Sequence, residues 1–152
     1  MNVSGLDDVK MEVQKLRERY GMYTVFHIPN LDPVTYKVVK KDGKDMKSEL
    51  KTNYDERTLR KIFLKCVEDV REDFPCYIVY DFVFYDKDLW RNTFCFISYI
   101  PDTLNIKKKV VYSTNALRLI EALDIPLHIS FTKMDELTYD EVKERCSKFR
   151  SK

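Results

Sequence analysis

The sequence predicts a single α/β (α+β) domain in which helices cover both faces of a five-stranded sheet. Three observations carry this expectation. Residues 76–85, CYIVYDFVFY, are apolar almost throughout, the pattern of a central strand buried on both sides. Apolar runs and amphipathic stretches follow one another in the order α-β-β-α-β-β-α-β-α, which places helices on a sheet rather than in a bundle. The length of 152 residues, with 13% aromatics, makes one domain with ample material for a core.

Leu6, Val9, Val13, Leu16 and Tyr20 recur at steps of three and four and give the first helix one apolar stripe, with Gly21 as its stop. Strands are expected over 23–28 and 35–39, joined by the turn Asn30-Leu31-Asp32-Pro33. Residues 40–52, KKDGKDMKSELKT, read as a polar loop. The second helix has the clearest pattern: Leu59, Ile62, Phe63, Cys66, Val67 and Val70 share one helical face, and Pro75 ends the segment. The short connection 86–92 between strands 76–85 and 93–100 favours an antiparallel hairpin. Residues 105–123 form a third helix, expected to face the core with Ile106, Val110, Leu117 and Ile120. Lys109 then falls at the edge of that stripe, where it either snorkels or marks a bend near Tyr112-Ser113-Thr114. A short strand follows over 126–131. Thr138 opens the last helix with a capping box to Glu141 and a Leu137–Val142 staple, and Val142, Cys146 and Phe149 form its stripe.

Composition excludes several classes. A net charge of +2 argues against a general nucleic-acid binder. No apolar run reaches the roughly 18 residues of a membrane span, and the N-terminus lacks a signal-peptide pattern. Cys66, Cys76, Cys95 and Cys146 form no CxxC pair and sit in apolar stretches, as buried reduced thiols of a cytosolic protein would. His27 and His128 fall in strands with no second His or paired Cys at ligand spacing, so they read as ordinary strand residues. There is no Gly-rich phosphate loop and no G-x-S-x-G, and no catalytic residue, metal or cofactor is expected. Asp81 interrupts the buried strand and needs a partner. A hydrogen bond beside Tyr80 or Tyr85 is expected rather than acid catalysis, because no second titratable group is placed with it. Two basic clusters stand out. Lys40-Lys41 through Lys47 reads as a solvated loop, with nuclear import as a second reading. Lys107-Lys108-Lys109 sits at a helix start, where each cation is unfavourable by about 0.3–1 kcal/mol. Three there point to an acidic partner outside the fold.

Residues 100–114, IPDTLNIKKKVVYST, run from an aromatic strand through a Pro-Asp-Thr turn and a basic helix start to Val-Tyr-Ser. In that order they resemble the actin-contacting segment of the actin-depolymerising factor/cofilin family. Residues 75–84, PCYIVYDFVF, resemble the family's C-x-Y-x-x-Y-D strand, and 94–101 resemble the next strand, with Tyr99 at the aromatic position before Pro101. The resemblance implies a mixed five-stranded sheet between helices, and actin monomers and filaments as partners. Lys107 and Lys109 match two basic residues that contact the monomer. Tyr112 and Ser113 match the Tyr-Ala/Ser step after them. The pattern then departs: Ala116, Leu117, Ile120 and Glu121 stand where relatives often carry Lys, Asp and further basic residues, and Arg118 supplies the charge of that turn. In the last helix, Glu144, Arg145 and Lys148 match the filament-binding helix. Arg91 matches a basic residue on the strand-edge loop of the same site, whose second basic position is Thr93 here. Val3-Ser4-Gly5 resembles the family's Ser-Gly start, so Ser4 and Gly5 join the actin surface and Ser4 is the candidate for inhibitory phosphorylation.

The resemblance implies a monomeric, non-enzymatic, cytoplasmic protein of the actin cytoskeleton that severs and depolymerises filaments to promote their turnover. Phosphoinositide head groups are a second class of partner and the nucleus a second location. Two alternatives share the fold: a glia-maturation-factor-like debrancher, and a coactosin-like protein that binds filaments without severing. The alternative from another class is a phosphoinositide or nucleic-acid module using the lysines, which a steep salt dependence would reveal.

Overall fold

Five strands lie in the order β2-β1-β3-β4-β5: β1 Tyr23–His27, β2 Lys37–Lys41, β3 Cys76–Asp86, β4 Leu89–Tyr99 and β5 Leu127–Phe131. Neighbours are antiparallel except β4 and β5, so the sheet is mixed. The long helix between those two strands is the crossover that a parallel pair requires. The computed structural model describes residues 4–18, 21–42 and 55–149. Val3, Tyr20 and the part of the lysine-rich loop from residue 43 to 52, with Lys47, lie outside the described residues.

Helices α1 (Leu6–Arg17), α2 (Glu56–Val67), α3 (Ile106–Leu123) and α4 (Tyr139–Lys148) form two layers around the sheet. On one face α1 and α3 pack through Val9, Val13, Tyr112 and Leu119 onto Phe26, Tyr77, Val79 and Phe96. On the other, α2 and α4 pack through Leu59, Phe63, Val142 and Cys146 onto Ile78, Tyr80, Phe82 and Ile97. Successive β3 side chains point to opposite faces, and both faces are covered. That is why the strand is buried from Cys76 through Phe84 and why its sequence is apolar without alternation.

The helix boundaries follow local chemistry. The Asp55 carboxylate accepts the Arg57 N–H at 3.0 Å and caps α2. Thr138 caps α4 by accepting the Glu141 N–H at 3.2 Å, as the capping-box pattern predicts, and Leu137 and Val142 are buried in one cluster. Arg17 ends α1 and reaches the far end of α3. Its guanidinium donates to Leu123 O at 2.6 Å and Asp124 O at 3.0 Å, and lies over the Phe94 ring. A cation on the last carbonyls of a helix also suits the helix dipole.

Four expectations are corrected. β2 occupies Lys37–Lys41, two residues later than predicted, because the 30–35 turn extends to a Thr35 N–H bond on Asn30 O and Tyr36 turns inward. Lys40 and Lys41 are therefore strand residues; Lys40 pairs with Asp69 at 3.1 Å and Glu68 at 3.4 Å. α2 ends at Val67, so Val70 packs from the following loop. β3 and β4 continue through most of the predicted 86–92 connection to a tight turn at Lys87-Asp88. Both residues there have positive φ, 50° and 65°, the geometry that matches strand twist. Asp81 is buried, and its carboxylate accepts the Asn92 side-chain amide at 3.0 Å, a structural hydrogen bond. Finally, α3 is rotated. Its core face is Tyr112, Asn115, Ala116, Leu119 and Leu123, whereas Ile106, Val110 and Leu117 are exposed. All four cysteines are buried and unpaired.

Candidate functional site

The rotation of α3 creates the candidate site. Asn105 caps the helix by accepting the Lys108 N–H at 2.8 Å. The first turn, Ile106-Lys107-Lys108-Lys109, contains no acid, so three cations meet the positive end of the dipole uncompensated. The inward face is held by hydrogen bonds as well as packing. The Ile28 N–H donates to the Tyr112 hydroxyl at 2.9 Å, and the Tyr77 hydroxyl donates to the Tyr112 carbonyl at 2.7 Å. The Tyr36 hydroxyl donates to Asn115 Oδ1 at 2.7 Å, and the Asn115 amide donates to Val111 O at 2.9 Å. Burial pushes the Tyr112 phenol up to about 12, so it stays a neutral donor and acceptor. These buried, satisfied bonds fix how the helix is turned about its axis.

The outward face is consequently apolar and basic together. Ile106 is 79% exposed, Val110 56% and Leu117 65%. With Ser113 they fall at i, i+4, i+7 and i+11, one line along the helix. Lys107 and Arg118 are exposed beside that line, and Lys109 is half-buried. Of the predicted monomer contacts, Lys107, Lys109, Ser113 and Arg118 therefore share the surface of α3. Tyr112 does not: it is buried, and its part is to hold the helix in place. Sequence reasoning missed Ile106, Val110 and Leu117 as surface residues because their spacing is as helical as that of the true core face.

Ser4 is exposed and its carbonyl accepts the Tyr36 N–H at 2.8 Å. Gly5 adopts φ 86°, and a Cβ there would lie 1.8 Å from the Tyr36 carbonyl oxygen. Tyr36 in turn bonds Asn115, so the start of α1 is tied to α3 through one tyrosine.

The predicted filament residues occupy the opposite layer and the hairpin. Arg91 is on β4, opposite Phe84, and pairs with Asp86 at 3.0 Å. Thr93 is buried. On α4, Arg145 pairs with Glu141 at 3.1 Å and Lys148 with Glu144 at 3.0 Å, exposed pairs one turn apart that contribute little to stability. On the β1 side, backbone bonding to β3 ends at Asp81, whose N–H donates to Met22 O at 2.8 Å, and β5 pairs with β4 only from Cys95, so residues 82–94 form an arm beyond the rest of the sheet. Tyr139 at the start of α4 packs on Phe82 with ring centroids 4.9 Å apart, joining α4 to that arm. At its tip Tyr85, Leu89 and Trp90 are exposed, the last two within the 86–92 connection expected from the sequence.

Among the described residues no group of three His, Cys, Asp or Glu could hold a metal, and no helix is long and apolar enough to cross a membrane. His128 Nε2 lies 2.9 Å from Ser98 Oγ, and burial lowers its affinity for a proton.

A family model described as cofilin/tropomyosin-type actin-binding protein matches residues 2–147. The cofilin of Mycosarcoma maydis is 36% identical over 74 residues, 47% of this chain and 53% of that protein. The cofilin of Schizosaccharomyces pombe is 32% identical over 105 residues, 68% of this chain and 75% of that protein. The chain thus spans from about half to three quarters of these relatives' lengths. The solution structure of the ADF-like UNC-60A protein of Caenorhabditis elegans matches with a TM-score of 0.73 at 25% identity, over 95% of this chain and 93% of that one.

Proposed function

Because the chain belongs to the cofilin/ADF family of actin-binding proteins, we propose that it binds actin monomers and filaments in the cytoplasm and severs and depolymerises filaments, as a binding protein rather than an enzyme. The outward face of α3 carries this reading. An apolar line, Ile106-Val110-Leu117, beside uncompensated lysines suits a partner that is apolar at the centre of the contact and acidic at its rim. Lys107 and Lys109 are the ionic contacts, with Ser113 and Arg118 extending them and Ser4 and Gly5 at the adjoining start of α1.

The second surface, Arg91 with Glu144, Arg145 and Lys148, belongs to the other layer of the molecule, supported by α4 and the hairpin arm. Two surfaces on opposite layers suit a ligand that touches two neighbouring subunits of one filament. A protein that favours one filament geometry shifts the population toward it and strains the boundary with bare filament, which is the physical route to severing. The lysines are also the groups that phosphoinositide head groups would engage, and such binding would weaken steeply with salt.

The test is filament co-sedimentation together with direct imaging of filament length. Pelleting with filaments that shorten is the expected result. Pelleting with filaments of unchanged length would replace severing by simple decoration, and failure to bind either monomer or filament would overturn the proposal.

A further inference from the structure

A cavity of about 420 Å³ opens where the ends of β1 and β2 meet the C-terminal end of α2 and the segment leading into β3. Its walls include Val25, Ile28, Val39, Val70, Phe74 and Pro75. At its lip Phe74 remains 45% exposed and Val39 48%, two apolar side chains that the fold leaves uncovered beside a hollow. The size is that of a small-molecule pocket.

The charges around it are unequal in kind. Asp69, the acid of the lining, is taken by Lys40 at 3.1 Å. Arg71 lies over the Phe74 ring at 4.4 Å, with Asp73 at 4.0 Å. His27 contributes a neutral ring, because burial, and then Lys37, lowers its affinity for a proton. Lys108 reaches the cavity from the first turn of α3, half-buried, and has no ion pair among the described residues. Of the three cations in the lining, Lys40, Arg71 and Lys108, only Lys108 lacks an ion pair among the described residues, and an apolar hollow with that one ammonium matches a ligand with a hydrocarbon body and a single negative charge. A polyanionic head group would need several free cations converging on it, and here Lys40 is held by Asp69 and Glu68 and Arg71 by Asp73 and the Phe74 ring.

We propose that this cavity binds a single-tailed amphiphilic carboxylate, such as a medium-chain fatty acid, with its tail against Val70 and Phe74 and its carboxylate on Lys108. Apolar burial supplies the affinity and the charge-assisted bond to the ammonium supplies the orientation. The site is separate from the outward line of α3, although Lys108 sits between the two lysines of that surface.

The test is calorimetric titration of decanoate, below the concentration at which it forms micelles, with amide shifts followed by NMR. One-to-one saturable binding is expected, with shifts concentrated at Val39, Val70, Phe74 and Lys108. Lys108→Ala should weaken it about tenfold, and neutral 1-decanol should bind weaker than decanoate by a similar factor. Val70→Trp, which fills the hollow, should abolish binding while the melting transition is retained. If that variant does not fold, the shift map and Lys108→Ala still decide. No saturable binding, binding that Lys108→Ala leaves unchanged, or shifts scattered outside the cavity would overturn the proposal. Displacement of decanoate by a soluble inositol polyphosphate would overturn the monoanion assignment.

Discussion

At Gly5 the chain turns through a left-handed conformation directly beneath the Tyr36 carbonyl. Any side chain there meets both backbone strain and a clash with main-chain atoms that cannot rotate away. Gly5→Ala should therefore cost on the order of 3 kcal/mol, read as a lower urea midpoint; an unchanged midpoint would mean that Tyr36 does not pack there. Ser4, one residue earlier, is different, because among the described residues only its carbonyl is engaged. A negative charge on its side chain lies near a helix N-terminus, which favours it, and against an acidic partner, which does not. Ser4→Asp should melt with the native protein yet pellet less with actin, while Ser4→Ala pellets normally; equal pelleting by both variants would end the regulatory proposal. Lys107 and Lys109 sit at the wrong end of a dipole for stability. Replacing both with Ala should leave the melting temperature unchanged or slightly raised and lower affinity for actin monomers by about tenfold or more in a fluorescence titration. Unaltered affinity would remove α3 from the contact.

The helices differ in how much of them could be read from sequence. α1, α2 and α4 each carry one apolar stripe, so periodicity alone orients them against the sheet. α3 carries two. Ile106, Val110 and Leu117 repeat as regularly as Tyr112, Ala116, Leu119 and Leu123, and the second set won because Tyr112 finds buried hydrogen-bond partners in Tyr77 and the Ile28 backbone, and Asn115 in the Tyr36 hydroxyl. Those partners are distant in sequence and leave no local signal. The lysines of the candidate site were legible from their order in the motif. Its apolar centre was not, since it had been assigned to the core. The hairpin turn was hidden for another reason: Lys87-Asp88 adopts positive φ without glycine, so nothing marked those two residues as the turn within 86–92. α4 and the arm carry the fourth prediction. Changing Arg91, Glu144 and Arg145 together to Ala should weaken filament pelleting and spare monomer binding, with little effect on unfolding, because these side chains form solvent-exposed or rim ion pairs. Parallel loss of both activities would show that the two layers do not divide the work.

The whole molecule is two helical layers on one mixed sheet, and its two histidines are each set into a different layer. His27 is disfavoured as a cation by burial and by Lys37, and His128 by burial. Above the ordinary imidazole value of 6.5 both rings are neutral in the folded and unfolded chain, and neither affects stability. Below it the unfolded chain takes up protons that the fold disfavours, so the urea midpoint should fall as pH drops from 7 toward 5. The double variant His27→Gln, His128→Gln should show a flatter profile over that range; an equally steep one would assign the loss to other groups. The bonds around Tyr112 have a consequence for timing. Because the central strand and the Ile28 backbone already hold α3 at one angle, the surface it offers exists before any partner arrives. Little freedom is left to lose on contact, and capture need not wait for a slow rearrangement of this chain. How long a partner stays, rather than how quickly it is found, then becomes the quantity on which changes along Ile106, Val110 and Leu117 act.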